Sequence, residues 1–234
     1  PVKHSSGPGS TRTHVYDAAY HPYLVDNNFK LHDRLKVLGA LKVNCTAENP
    51  LTGLAAISKG DSIIVGHNQL QMTTLPVNQD DCPVIMTSTG TISEKQYSAT
   101  KAGYKAGFNH ANSAVVVELE GDNFHIRHLN FDGQGFYDLD THYTEIGWRT
   151  DTIEALVTGD EHAIFADPDV KEATYLADDS IVKVLKPKTI VRHDLLDCYS
   201  VSHHHKGDVF TQFAKTAVNL TIEKELDRTV LHVI

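Results

Sequence analysis

The sequence predicts an α/β protein in two parts: a β-rich N-terminal region over residues 1–148, then an alternating strand–helix region over 149–234. Three observations carry this. Ahead of Gly147, short apolar runs punctuated by turn residues follow one another, as strands of a sheet do. After it, strands alternate with helically spaced segments in the order β-α-β-α-β, the rhythm of a sheet with crossover helices. Finally, two strands of this second part run directly into Asp and His, at the carboxyl edge where such sheets gather their ligands.

Taken in order, residues 1–12 are polar and rich in Gly and Ser, without the apolar stretch of a signal peptide, and read as a loop or arm. Segments 35–43, 62–65, 70–75 and 84–87 are candidate strands. Segments 113–120 and 124–130 flank Gly121-Asp122-Asn123 and form a hairpin. Between these groups, 93–107 is polar and carries Lys95, Lys101 and Lys105, which suits a loop or a short exposed helix able to meet DNA or another subunit. In the second part, 153–157 is a strand ending in Thr158-Gly159-Asp160. Residues 169–184 have the apolar spacing of one helix, with Pro168 suited to its first turn. A strand over 189–191, a helix over 209–226 and a third strand over 229–234 complete the pattern.

The chain has 234 residues, 41% hydrophobic and 22% charged, which is enough for a real core. No apolar run approaches the ~20 residues that a membrane-spanning helix needs. A net charge of −9 argues against a broad nucleic-acid-binding face. It leaves a nuclease open, because carboxylates that hold cations inflate the acidic count. Cys45, Cys82 and Cys198 lie far apart with no CxxC spacing, so they read as small buried apolar residues of a reducing cytoplasm.

The chemistry concentrates at the two strand ends. Asp160 and His162, two residues apart after a strand, can both reach one cation, and a carboxylate with an imidazole suits manganese, iron or zinc. A second strand ends in His193-Asp194-Leu195-Leu196-Asp197. Either segment alone could be a polar turn.

Together they resemble the calcineurin-like metallophosphoesterase family, whose blocks read D-x-H, G-D-x-x-D and G-N-H-[ED], followed by late histidines. Gly159-Asp160-Glu161-His162 matches the first block, and His193 to Asp197 the second, with His193 in place of the usual glycine. The resemblance implies a β-sandwich flanked by helices, of which 149–234 is the first half. It implies two divalent metal ions, with manganese expected. Asp160 and His162 would hold the first, Asp194 would bridge both, and Asp197 would stand behind these ligands; His193 could do the same, or merely replace glycine in a slightly wider turn. The third block and the late histidines would lie beyond Ile234, so any metal held by this chain alone is expected to be weakly bound.

A narrower resemblance spans most of the chain. Pro50-Leu51-Thr52-Gly53-Leu54, Ile64-Val65-Gly66-His67, Thr87-Ser88-Thr89-Gly90-Thr91, Lys101-Ala102-Gly103, Phe136-Tyr137-Asp138-Leu139 and Asp194-Leu195-Leu196-Asp197 resemble the early DNA-transfer nucleases of tailed bacteriophages. These are related in their metal core to double-strand-break repair nucleases. The implied activity is metal-dependent hydrolysis of DNA phosphodiester bonds in the host cytoplasm, with a homo-oligomer as a further expectation. The rival readings are a phosphatase or cyclic-nucleotide phosphodiesterase with the same core, and a non-catalytic assembly protein.

Other polar residues carry two readings each. Neighbours in His203-His204-His205 cannot all face one ion; His203 or His204 could contact phosphate or move a proton, or the run could be an exposed loop. Arg192 and Lys206 could bind the phosphate backbone, or be solvated cations. Gly66-His67 mimics a late metal block, but its place ahead of the Asp160 motif favours a structural turn.

Overall fold

Strands dominate the structure, a computed structural model that describes residues 2–4, 13–15, 18–23, 27–78, 82–196, 198, 200–203, 207, 209, 213 and 221–233. The chain is mixed α/β and divides into two units, Pro1–Asp138 and Leu139–Ile234. The division falls ahead of residue 148, so the hairpin at 141–150 belongs with the second unit.

In the first unit, β1 (Val2–His4) and β2 (Thr13–Val15) form an antiparallel ribbon. A five-stranded sheet follows, built from β3 (Asn28–His32), β4 (Leu35–Leu38), β5 (Ser62–Val65), β6 (Met72–Leu75) and β7 (Val84–Ser88) in the order β3-β4-β5-β7-β6. Strands β4, β5 and β7 are parallel, and the two edges are antiparallel. The central β5 is buried at every position, as a parallel strand covered on both faces requires and Ile63-Ile64-Val65 allows. Leu38, Leu51, Leu54, Ile63, Val65 and Met86 form the core. Helix α1 (Ala55–Ser58) lies in the crossover between β4 and β5.

Helix α2 (Lys101–Phe108) starts where the Thr100 side chain accepts the Gly103 N–H at 3.1 Å. Of the two readings left open for 93–107, its second half is thus helical, and Lys105 pairs with Glu48 at 3.0 Å. Then β8 (Ser113–Glu120) and β9 (Asn123–Phe131) pair antiparallel from Ser113↔Asn130 to Glu120↔Asn123 around Gly121, whose φ of 57° suits the tight turn. Strand β10 (Gly135–Asp138) continues from β9. The His128 ring on β9 lies 2.7 Å from the Thr87 hydroxyl on β7, and burial pushes its pKa down.

In the second unit, β11 (Thr141–Thr144) and β12 (Gly147–Thr150) form a hairpin. Strands β13 (Ala155–Asp160) and β14 (Thr189–His193) are a parallel pair. Between them run α3 (Pro168–Lys171), a π-helical turn over Glu172–Leu176, and α4 (Ile181–Leu185); α5 (Ile222–Val233) comes last.

Several expectations are corrected here. The segment 169–184 is not one helix. Ala177 leaves helical geometry at ψ 153°, and Asp178, Asp179 and Ser180, which favour caps and turns over helix interiors, separate the π turn from α4. The predicted third strand over 229–234 is helical through Val233. The residues of α5 that turn inward are Ile222, Glu225, Thr229 and His232, a helical 3-4-3 spacing in which polar side chains hide the period. Among the described residues the strands of the second unit are the β11–β12 hairpin and the parallel pair β13–β14. The strand predicted over 35–43 stops at Leu38. The cysteines are not buried: Cys45 and Cys82 are exposed and Cys198 is half-buried.

Candidate metal centre

Ala155-Leu156-Val157 and Ile190-Val191 are β-favouring runs, and they place β13 beside β14 in the register Leu156↔Ile190 and Val157↔Val191. The register then shifts, so that Asp160 comes opposite His193. Pairing continues past both strands. The Glu161 N–H donates to the His193 carbonyl at 3.1 Å, His162 to Asp194 at 3.0 Å and Ala163 to Leu195 at 3.1 Å. The two strand exits thus travel side by side rather than diverging.

That shared exit brings Asp160, His162 and Asp194 together. One ligand atom from each lies within 4.8 Å of the others, with the carboxylates exposed and the imidazole half-buried. His162 and Asp194 both take left-handed backbone conformations, φ 42° and 43°. Residues other than glycine hold that region only where surroundings impose it, and such positions concentrate at functional sites. Here the three inter-loop hydrogen bonds do the imposing. Two carboxylates and an imidazole are a donor set that fits a divalent transition metal.

Glu161, between the two ligands of its motif, turns to the other side. Its carboxylate is one-tenth exposed and accepts from Arg192 Nε at 2.9 Å to each oxygen, from Thr158 Oγ1 at 2.8 Å, and from the Tyr175 hydroxyl. The His232 Nε2 lies 3.0 Å from Oε2. Burial alone would raise the pKa of this carboxyl; the bonds from Arg192, Tyr175, Thr158 and His232 outweigh it and hold the group at about 2. The Arg192 guanidinium, shifted up chiefly by its bonds to Glu161, lies 4.5 Å from the centre of the Tyr175 ring. This cluster ties β13, β14, the π turn and α5 to one another immediately behind the ligand loop.

The sequence leaves Arg192 either on a phosphate backbone or as a solvated cation. The structure commits its guanidinium to Glu161 instead, because the side chain points inward at the strand end and is 15% exposed. His193 lies opposite Asp160 in the register, with its carbonyl holding Glu161 N–H, and it is not a member of the ligand cluster. His203 is exposed and also outside that cluster. Asp197, His204 and Lys206 lie outside the described residues. The His67 ring is 6% exposed, accepts from Gln69 N–H at 3.0 Å and lies 3.0 Å from the Asn44 carbonyl, a structural turn.

The chain is 32% identical over 203 residues to Protein A1 of Escherichia phage T5. It is similar to a phage protein. The match covers 82% of this chain and 36% of that relative, so the chain spans about a third of its length. No protein-family profile and no solved structure matches the chain.

Sequence reasoning missed Glu161, Thr158, Tyr175 and His232. The signal for Glu161 was its place between two ligands on extended backbone, where alternation sends it to the opposite side and next to a strand-end arginine. His232 was hidden by reading 229–234 as a strand.

Proposed function

We propose that the chain carries the metal-binding part of a phage-encoded, metal-dependent nuclease that hydrolyses DNA phosphodiester bonds through two divalent cations, manganese being the expected ion. The observation that supports this most is the convergence of Asp160, His162 and Asp194 at the ends of two adjacent parallel strands. The similarity to a protein of phage T5 supports the phage origin.

In this reading Asp160 and His162 hold one cation, and Asp194, from the neighbouring strand, faces both. When bound, such ions polarise a phosphate oxygen and lower the pKa of a bound water towards neutrality. What the chain itself supplies is position. Both carboxylates are exposed, so the centre is open to a polymer rather than enclosed around a small monoester. Glu161 and Arg192 keep the ligand loop in register with β14. Among the described residues no helix is long and apolar enough to cross a membrane.

The test is incubation of the protein with a DNA oligonucleotide and, separately, with p-nitrophenyl phosphate, in manganese. Cleavage of DNA that disappears in Asp194→Asn is the expected result. Turnover of the monoester alone would replace the nuclease with a phosphatase. Hydrolysis of neither, with metal bound, would point to an assembly role.

A further inference from the structure

A cavity of about 470 Å³ in the first unit runs between helix α2 and the segment ahead of it, with Lys95, Tyr97, Gly103, Tyr104, Gly107 and Phe108 among its walls. Two glycines bring the helix this close. A Cβ on Gly103 would strike the Ser98 carbonyl, and one on Gly107 would lie 3.3 Å from both Lys95 Cε and Tyr97 Cδ2. The stem of Lys95 is thus laid along the helix beside the Tyr97 ring, with its charge at the groove. Tyr97 is a fixed wall: its hydroxyl accepts from Asn68 Nδ2 at 3.2 Å and lies 2.9 Å from His110 Nδ1.

The helix contributes two aromatic side chains that the fold leaves in solvent. Tyr104 is 74% exposed and Phe108 89%. Four residues apart, they stand on one face of α2, about 6 Å from each other along its axis. The surroundings are basic. Residues 95–110 hold three lysines and neither Asp nor Glu, in a chain whose 30 acidic residues outnumber its 21 basic ones. Lys105 is tied to Glu48 at 3.0 Å, and Glu94, just ahead of the segment, accepts from Gln96. Lys95 is the cation that lines the groove itself. Such a surface fits a partner that repeats a flat apolar face and a negative charge, which a single nucleic-acid strand does at every nucleotide.

We propose that this groove of the first unit binds a single DNA strand, its bases stacking on Tyr104 and Phe108 and a phosphate meeting Lys95. The choice of DNA rests on the nuclease reading. The groove adds a contact for that substrate in a unit that holds none of the candidate metal ligands. Bases inside an intact duplex are already stacked on both faces, so the groove selects an unpaired strand.

The test is fluorescence anisotropy of a labelled oligothymidylate with the protein in EDTA, which reads binding without hydrolysis. The single strand should bind more tightly than a duplex of the same length. Tyr104→Ala and Phe108→Ala should each weaken it about tenfold, as loss of one stacked base does. Phe108→Trp should keep the affinity and Phe108→Leu should not, which separates stacking from apolar contact. Lys95→Ala should lower the slope of log affinity against log salt by about 0.7. Hydrolysis of bis-p-nitrophenyl phosphate in manganese should be unchanged in these variants, because that diester is too small to span the groove. Strand binding indifferent to both rings, or equal for duplex and single strand, would overturn the inference and leave the nuclease reading standing. Self-association that Phe108→Ala abolishes in sedimentation velocity, with DNA affinity unchanged, would overturn it by assigning the face to a second copy of the chain. Ring-dependent strand binding without DNA cleavage in manganese would uphold the groove and remove the nuclease reading.

Discussion

The Glu161 carboxylate and the Arg192 guanidinium form a buried pair across the parallel strands β13 and β14, with Nε 2.9 Å from both carboxylate oxygens. Glu161 is flanked in sequence by Asp160 and His162, and Arg192 stands two residues before Asp194. The pair therefore fastens the two strand ends that present the candidate ligands.

Removing Arg192 should leave the largely buried Glu161 charge without its cation, held only by Thr158, Tyr175 and His232. Arg192→Met is expected to destabilise the second unit by about 3 kcal/mol, measured by urea unfolding. It should also weaken manganese binding by about tenfold or more, since ligand-orienting contacts typically carry that much. Glu161→Gln combined with Arg192→Met should recover much of the stability but not the metal affinity. His232→Ala removes one of several bonds to the same carboxylate and should cost nearer 1 kcal/mol. Equal, negligible losses in all of these variants would mean that the pair does not hold the loop.

The first unit should show a histidine-dependent stability loss in mild acid. His128 is pushed below its ordinary 6.5 by burial, so the unfolded chain takes up a proton more readily than the folded one. Its contribution is complete above the unfolded value of 6.5 and declines as the pH falls through that value and then through the lower folded one. His128→Gln, which cannot titrate but can still meet the Thr87 hydroxyl, should flatten the stability profile in that window. An unchanged profile would show that the ring does not carry the effect.

Helix α2 approaches the 95–98 segment through a glycine. A Cβ on Gly103 would sit 1.9 Å from the Ser98 carbonyl oxygen, a backbone atom that cannot move aside cheaply. Gly103→Ala should destabilise by about 2 kcal/mol or more, despite alanine's better helix propensity. Gly66→Ala, with open space around the added carbon, should change stability by no more than about 0.5 kcal/mol. Thermal unfolding of the two variants makes the comparison, and a neutral Gly103→Ala would mean that the helix does not pack so closely.

What the sequence made legible was strand-borne. The runs at 62–65, 84–87, 113–120 and 124–130 are strands because β-branched and apolar residues are bounded by turn residues, and both signals are local. The positions of Asp160, His162 and Asp194 could be anticipated for the same reason, as each follows a strand end. The contacts behind them could not. Tyr175 reaches Glu161 from the π turn within 169–184, a break that apolar periodicity does not reveal. His232 reaches it from a helix whose inward face carries Glu225, Thr229 and His232, while the apolar run Val230, Leu231, Val233 and Ile234 reads as a strand. Arg192 looked like a surface cation because a sequence does not show which way a strand-end side chain turns.

The central claim is that Asp160, His162 and Asp194 jointly hold a divalent cation. Isothermal titration calorimetry of manganese into the wild-type chain and into Asp160→Asn, His162→Ala and Asp194→Asn tests it most directly. The prediction is saturable binding to the wild type, lost or weakened at least tenfold in each variant while the fold, followed by circular dichroism, is retained. Manganese binding of the same affinity in all four proteins, or no binding to the wild type, would contradict it.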